Sequence, residues 1–294
     1  MAGRRSGLFT RRRTAPTARL RRLAREMRRL RSEAGLTRED VTARTSVNEA
    51  TLYRLETAKG RPQRRTLMAL LETYGVGDTK REAILALSTQ AGEQGWLRPY
   101  HADLPDEYVG YISFEAEARS VRNYESSFIP GLLQTEDYAR AVIRGVLPTV
   151  TTKEVDQRVQ ARIERQVVLA KTDPLELWAI VDEAALRRTV GGTKVLVEQL
   201  THLLKVAAEP HVMLQVIPFG AGAHPGMPGS FVRMDFPDSE DPPLVYIDSM
   251  AGDLFLEADE DIRRYNQIFD HLRASALSPD DSAGLIAALV REIT

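Results

Sequence analysis

The apolar residues of the first third of the chain recur at the spacing of an α-helix. The longest such face consists of Leu20, Leu23, Met27, Leu30 and Ala34. Four shorter patterns follow, and Thr37 and Asn48 stand where the N-caps of the second and third would lie. We therefore predict a compact domain of five short helices over residues 18–90. Residues 1–17 lack an apolar period and are predicted to form a flexible basic arm.

The pattern changes after residues 91–105, whose glycines and prolines predict a linker. Residues 106–294 combine helical periods with short runs of β-branched and aromatic residues bounded by turn formers. Helices are predicted at 114–125, 136–145, 153–170, 194–208, 258–275 and from Pro279 onward. Strands are predicted at 175–181, 212–219, 230–236, 244–250 and 253–257. The expected fold class is therefore a five-helix domain followed by an α+β domain with four or five strands and flanking helices.

Charge divides the chain at nearly the same place. Residues 1–90 carry 21 Lys+Arg against 9 Asp+Glu, whereas residues 91–294 carry 19 against 32. A neutral total made of two opposed parts favours a nucleic-acid-binding part and a separate acidic part, although two ordinary charged surfaces would give the same counts.

Composition excludes several classes of protein. The absence of cysteine excludes a disulfide scaffold, cysteine-ligated zinc and a thiol nucleophile. No apolar run approaches the roughly 20 residues of a membrane span, and the basic first residues lack the apolar segment of a signal peptide. We therefore expect a soluble, cytoplasmic protein without a membrane partner.

The segment GLTREDVTARTSVNEATLYRLE, residues 35–56, has a specific layout. Two short helices are joined by a turn of about four residues, a spacing typical of the DNA-binding helix-turn-helix. The outer face of the second helix consists of Glu49, Ala50, Tyr53, Arg54 and Thr57. Such a face fits a major groove about 12 Å wide, where polar side chains read base edges and the short Ala50 allows close approach.

This segment resembles the helix-turn-helix of the Xre family, which is related to the lambda-type phage repressors. The resemblance to the whole domain of that family extends over residues 20–78. The sequence departs from the family pattern at Arg38, Thr42 and Ser46. Arg38 replaces a glutamine that helps to anchor the phosphate backbone, a role that arginine can also fill. Ser46 replaces a turn glycine, where a positive φ would cost about 1 kcal/mol. The residues predicted to contact double-stranded DNA are Arg38, Asn48, Glu49, Ala50, Thr51, Tyr53, Arg54 and Arg61, with Arg11, Arg12 and Arg13 of the arm adding non-specific affinity.

The segment FIPGLLQTEDYARAVIRG, residues 128–145, resembles the C-terminal domain of actinobacterial regulators of the WhiJ type. Asp248 of the YID segment stands where relatives usually carry glutamate. The resemblance implies an antitoxin-like transcriptional regulator, often encoded beside a small partner protein. Its second domain is expected to form a homodimer and to bind an effector of unknown identity or a partner protein. The alternative is an antitoxin whose main role is to sequester that partner.

No motif for catalysis, cofactor or metal binding stands out, so we expect a protein that is not an enzyme. The five histidines are scattered, and the glycine-rich segment 219–229 lacks the helix that a phosphate-binding loop requires. That segment is interpreted either as a mobile or partner-contacting loop or as an ordinary long hairpin connection. Asp182 and Glu183 could be paired carboxylates, but they fit better as the N-cap and first-turn acid of a helix.

Two further groups of residues have alternative interpretations. The stripe Val155, Val159, Ile163 and Val167 could contribute to a dimer interface, but such a stripe is more often intramolecular core. Four aromatic residues near the linker could line a ligand cleft or fasten the linker to the second domain, and these are Trp96, Tyr100, Tyr108 and Tyr111.

Overall fold

A computed structural model of the chain describes residues 18–91, 104–238, 241–249 and 252–294. The chain divides into two compact units, residues 1–113 and 114–294. The predicted arm with Arg11, Arg12 and Arg13, most of the predicted linker, and the aromatic residues Trp96 and Tyr100 lie outside the described residues.

The first unit contains the five predicted helices, and a sixth begins at its end. They are α1 (Ala18–Glu33), α2 (Arg38–Arg44), α3 (Glu49–Glu56), α4 (Arg64–Thr73), α5 (Asp78–Gln90) and α6 (Asp106–Glu117). The core is built from side chains of α1 to α5 that are almost completely buried, including Leu23, Met27, Val41, Leu52, Leu67 and Leu70. On α6, the rings of Tyr108 and Tyr111 stack with their centroids 6.3 Å apart.

Local signals set the helix boundaries of this unit. The Thr37 hydroxyl accepts a hydrogen bond from the Asp40 N–H, and the Asp40 carboxylate accepts one from the Thr37 N–H, which completes a capping box. Asn48 Oδ1 accepts from the Thr51 N–H at 2.8 Å. After α1 the chain turns at Gly35, where φ is +67°, so that the Leu36 N–H donates to the Arg31 carbonyl. The two predicted caps, Thr37 and Asn48, are confirmed.

The second unit is built on a six-stranded sheet. Its strands are β1 (Ser120–Glu125), β2 (Glu176–Asp182), β3 (Val212–Ile217), β4 (Phe231–Asp235), β5 (Leu244–Ile247) and β6 (Leu254–Leu256). They lie in the order β3-β2-β1-β4-β5-β6, with β1, β2 and β3 parallel and the other neighbours antiparallel. The helices of the unit are α7 (Glu136–Val146), α8 (Thr152–Glu164), α9 (Glu183–Arg187), α10 (Thr193–Val206), α11 (Asp259–Ser275) and α12 (Pro279–Ile293). The predicted fold class, helical followed by α+β, is confirmed.

The core of the second unit has two described parts. Helix α11 packs Phe269 and Leu272 against one face of the sheet, where Tyr124, Ile180 and Phe231 are buried. Helices α7 and α8 pack on each other through Ile143, Val155 and Val159. Because Val155 and Val159 are buried there, the valine stripe is mainly intramolecular core, and its last member, Val167, lies exposed beyond the end of α8.

Three predictions for this unit are wrong. The helix expected over residues 114–125 ends at Glu117, and residues 120–125 form β1. Strand β1 has partners on both sides, and the amide of its buried Asn123 is satisfied because it donates to the Phe231 carbonyl. The helix expected over 153–170 ends at Glu164 and continues as a 3₁₀ turn. Finally, the sheet has six strands, one more than the upper expectation.

The segment 219–229 is not a hairpin connection. Strands β3 and β4 are separated by β2 and β1, so residues 218–230 pass across the end of the sheet. We call these residues the crossover. The Phe219 N–H donates to Glu183 at 2.7 Å, and His224 Nε2 lies 3.2 Å from an Asp182 oxygen. A Cβ on Gly226 would lie 2.5 Å from the Tyr124 ring, so the absence of a side chain allows this close approach.

Candidate nucleic-acid interface

The turn between α2 and α3 is closed by a threonine side chain. Thr45 Oγ1 donates to the Val41 carbonyl at 2.7 Å and accepts from the Val47 N–H at 3.2 Å. Thr45 itself is extended, with φ of −127°. Ser46 does not have a positive φ, so the expectation of backbone strain there is wrong. Among the described residues, Ala58 is the one non-glycine residue with a positive φ.

A buried ion-pair network joins the first three helices. Glu56 of α3 is completely buried, and its carboxylate accepts from Nε of Arg31 in α1 at 2.6 Å and from Nε of Arg38 in α2 at 2.8 Å. The hydrogen bond with Glu56 raises the pKa of the Arg31 guanidinium. Arg31 also donates to the Leu36 carbonyl, which ties the turn after α1 into the same network. The network therefore fixes the angle at which α2 and α3 meet.

The predicted reading face of α3 is exposed. Glu49, Ala50, Tyr53 and Arg54 are open to solvent, whereas Leu52 and Leu55 on the other side are buried in the core. The Nη2 atom of Arg54 is 3.4 Å from the Thr51 hydroxyl, so these two side chains lie together at the surface. The helix thus presents polar side chains outward over an apolar inner face, as a recognition helix requires.

Tyr53 lies between two cationic side chains. The Arg38 guanidinium is 5.4 Å from the ring centroid and the Lys59 ammonium is 4.9 Å from it, within the range of cation–π attraction. The Lys59 Nζ also donates to the Tyr53 hydroxyl at 3.2 Å. Lys59 is absent from the contacts that the sequence predicts. The sequence shows a basic residue three positions after the end of α3, but its place beside Tyr53 depends on the turn at Ala58.

A left-handed residue places Lys59 there. Ala58 has φ of 52°, and the Lys59 N–H donates to the Arg54 carbonyl while the Ala58 N–H donates to that of Leu55. This is a Schellman ending with alanine where glycine is usual, a substitution that costs about 1 kcal/mol in backbone strain. The chain therefore turns back along α3 immediately after its last turn.

Two arginines that are predicted to contact DNA are hydrogen-bonded within the protein. Arg38 uses Nε for Glu56, and Arg61 Nη1 lies 3.3 Å from the Ser88 carbonyl and 3.5 Å from that of Thr89, near the end of α5. Asn48 uses its side-chain oxygen to cap α3. These bonds hold the three side chains in place, and their contacts with DNA stay predictions.

The PGLLQT segment, residues 130–135, is a structural junction of the second unit. A Cβ on Gly131 would collide with the Arg165 guanidinium, which is buried and pairs with Glu115. Gln134 is buried, and its amide donates to the Ile129 carbonyl at 2.7 Å. The Thr135 N–H donates to Gln199 of α10 at 2.7 Å, and the Thr135 hydroxyl caps α7. The segment thus holds α7, α8 and α10 together.

Asp182 and Glu183 have the helix-starting roles that the sequence favoured. Asp182 is the N-cap of α9 and accepts from the Ala184 N–H at 2.8 Å, and Glu183 lies in the first turn. Within the described ranges, no three side chains of His, Asp or Glu are grouped so that they could hold a metal ion. No helix in the same ranges is long and apolar enough to span a membrane.

Two family models match the chain. One, described as a helix-turn-helix domain, matches residues 22–84, and the other, described as a domain of unknown function (DUF5753), matches residues 108–288. The first match supports an Xre-like helix-turn-helix regulator. No curated protein and no solved structure matches the chain.

Proposed function

The chain belongs to the family defined by this domain of unknown function (DUF5753), and we propose that it is a transcriptional regulator that binds specific sequences of double-stranded DNA. The observation that carries the proposal is the exposed polar face of α3 within a helix-turn-helix domain. The net charge of +12 on residues 1–90 adds attraction to the phosphate backbone.

In this proposal α3 lies in the major groove. Arg54 is long enough to bind the O6 and N7 atoms of a guanine, the commonest specific contact. Glu49, Ala50 and Tyr53 border the same base pairs. Arg38, Asn48, Thr51 and Arg61 contact phosphates on either side, and the Lys59 ammonium beside Tyr53 adds a further cation.

We propose that the second unit forms a homodimer. Two helix-turn-helix units about 34–36 Å apart on the duplex are normally required for specific binding. Two copies of the basic first domain repel each other in the absence of DNA, which disfavours an interface there. Exposed apolar side chains on the two edge strands of the sheet support an interface in the second unit. Met213 of β3 is 41% exposed, and Leu254 of β6 is 50% exposed.

We also propose that the second unit regulates by binding rather than by catalysis. A small-molecule effector is the first candidate. The alternative, an antitoxin that sequesters a small partner protein, is favoured by the crossover, where Phe219 and Met227 are large, apolar and exposed. Replacing Phe219 and Met227 by serine distinguishes these two alternatives. The double substitution abolishes co-purification of a partner protein from the native host only if the crossover binds that partner.

Selection of bound duplexes from a random library tests the main proposal. We expect the full-length protein to enrich an inverted repeat whose half-sites are one helical turn, about 10 base pairs, apart or a multiple of that. The matched control is the variant Arg54→Ala, which should enrich a related repeat with one position relaxed. Equal recovery of all sequences by the wild type at physiological salt would contradict sequence-specific binding.

A further inference from the structure

Polar side chains from four parts of the second unit meet at the carboxyl end of β1. We call Glu125, Arg162, Asp248 and Ser230 the β1-edge cluster. Glu125 ends β1, Asp248 follows β5, Arg162 lies on α8, and Ser230 precedes β4. The Ser126 N–H donates to the Ser230 hydroxyl at 3.1 Å, which joins the segment leaving β1 to the segment entering β4.

The topology makes this edge a natural place for a ligand. Strand β1 has the parallel strand β2 on one side and the antiparallel strand β4 on the other. The chain leaves the end of β1 toward α7, and it enters β4 from the crossover at the same end, since Tyr124 pairs with Phe231. In sheets of this kind, ligands bind at the carboxyl ends of parallel strands, where the direction of strand addition reverses.

The charges of the β1-edge cluster are close together but not paired. Burial raises the pKa of the Asp248 carboxyl, as it does that of Glu125, and the positive charge of nearby Arg162 acts in the opposite direction on both. Among the described residues, however, Arg162 forms no ion pair within 4.0 Å with either acid. Its Nη1 donates to Gln134 at 3.1 Å, and its Nε is buried without a hydrogen-bond partner there. An unsatisfied buried donor is costly, and a ligand oxygen would satisfy it.

Glu125 is suited to receive a cation. Burial raises the pKa of its carboxyl to about 7, and the negative charge of Asp248 acts in the same direction. The Asn123 amide donates to Oε1 at 3.3 Å, so the carboxyl is held in place. Among the described residues, the phenols of Tyr138 and Tyr124 also lie near it, and burial raises the pKa of Tyr138 to about 12 and raises that of Tyr124 as well. The phenols therefore stay neutral while Glu125 titrates.

We propose that the β1-edge cluster binds a small zwitterion of the α-amino-acid class. Its carboxylate would lie on Arg162 and reach the buried Nε, and its ammonium would lie between Glu125 and Asp248. An anion alone would face two acids, and a cation alone would face the arginine, so a ligand carrying both charges fits best. The inference rests on the proposed regulator, since this ligand would be its effector.

The test is calorimetric titration of the full-length protein, without DNA, with each of the twenty proteinogenic L-amino acids. We expect at least one to bind. Its N-acetyl and carboxamide derivatives, which each lack one charge, should bind at least about tenfold more weakly. Binding should tighten from pH 6 to pH 8, because Glu125 must lose its proton to hold the ammonium, and protons should be released on binding.

Variants keep the test independent of folding. Glu125→Gln preserves the size of the side chain and its bond from Asn123, and it should weaken binding by about tenfold or more. Arg162→Lys, which keeps the charge but loses Nε, should weaken it as well. The matched control is Glu176→Gln at the exposed amino end of β2, which should bind like the wild type.

The proposal is overturned if no amino acid binds, if the blocked derivatives bind equally well, or if Glu125→Gln binds like the wild type with an unchanged melting temperature. These outcomes are separable from failure of the proposed function, because selection of DNA sequences by the ligand-free protein does not involve the cluster. If both proposals hold, the bound amino acid changes the affinity for the selected DNA.

Discussion

Replacing Glu56 by glutamine tests whether the buried ion-pair network holds the helix-turn-helix together. The carboxylate is completely buried and accepts from two arginines on two other helices. Removing one member of a buried ion pair usually costs about 3–5 kcal/mol, because the remaining charge is left uncompensated. Here the side chains of Arg31 and Arg38 are 19% and 33% exposed, so water can partly solvate them. We therefore expect a loss of about 2–3 kcal/mol, just below that range.

Hydrogen exchange measured by mass spectrometry can assign this loss to one unit. Peptides from residues 18–91 report on α1 to α5, and peptides from 120–256 report on the sheet. A loss of about 2–3 kcal/mol accelerates exchange of the slowest amides in the first group by roughly 30- to 150-fold. The second group should be unchanged, because the core cluster of the first unit contains none of its residues.

The matched control is Glu49→Gln, the same substitution at an exposed position in the first turn of α3. It removes a favourable interaction with the helix dipole and should cost at most about 0.5 kcal/mol. If Glu56→Gln leaves exchange in α1 to α3 within about 0.5 kcal/mol of the wild type, the network does not stabilise the domain, and the reasoning is refuted.

Four further expectations concern DNA, dimerisation and packing. Arg54→Ala should weaken binding to the selected site by about 1–3 kcal/mol and relax one base position, and unchanged binding to selected and scrambled duplexes would show that the reading face is wrongly assigned. Deleting residues 2–13 should reduce the slope of log K against log salt by about 0.9 for each phosphate that the arm neutralises, and an identical slope would count against the arm. Residues 93–294 alone should be dimeric by light scattering at micromolar concentration, whereas a monomer, with the full chain dimeric, would move the interface to the first domain. Gly226→Ala should destabilise the second unit by about 1–3 kcal/mol, while Gly220→Ala in the same crossover, where a Cβ meets nothing within 4 Å, should be nearly neutral in thermal unfolding.

Features set by neighbouring residues could be predicted from the sequence. Thr37 and Asn48 cap helices as expected, because a cap depends on a side chain and a backbone N–H two or three residues away. The buried and exposed faces of α3 followed in the same way from the helical period.

Features that depend on distant partners could not be predicted. The segment SVRNYE has only two apolar residues and lies in a range whose pattern predicts a helix, yet pairing with β2 and β4 makes it the central strand. In sequence, the crossover looks like a hairpin connection, since it is a turn-rich segment between two strands. The spacing of residues along the chain does not reveal that β2 and β1 lie between those strands in the sheet. The convergence of Glu125 and Arg162 depends on the same pairing, so neither residue stands out in the sequence. The position of Lys59 could not be predicted because Ala58 gives no local signal for a left-handed turn.

The central position of β1 has a consequence for newly made chains. Among the described residues, the helix-turn-helix core contains none beyond Ala91, whereas β1 pairs with strands that are all synthesised after it, and the β1-edge cluster requires Asp248. At roughly 5–20 residues per second, translation from residue 91 to residue 248 takes about 10–30 s. During that interval a nascent chain carries a complete DNA-binding fold without the sheet edge proposed to bind its effector. Every copy of the regulator would therefore begin its existence as a DNA-binding domain that cannot yet respond to its ligand.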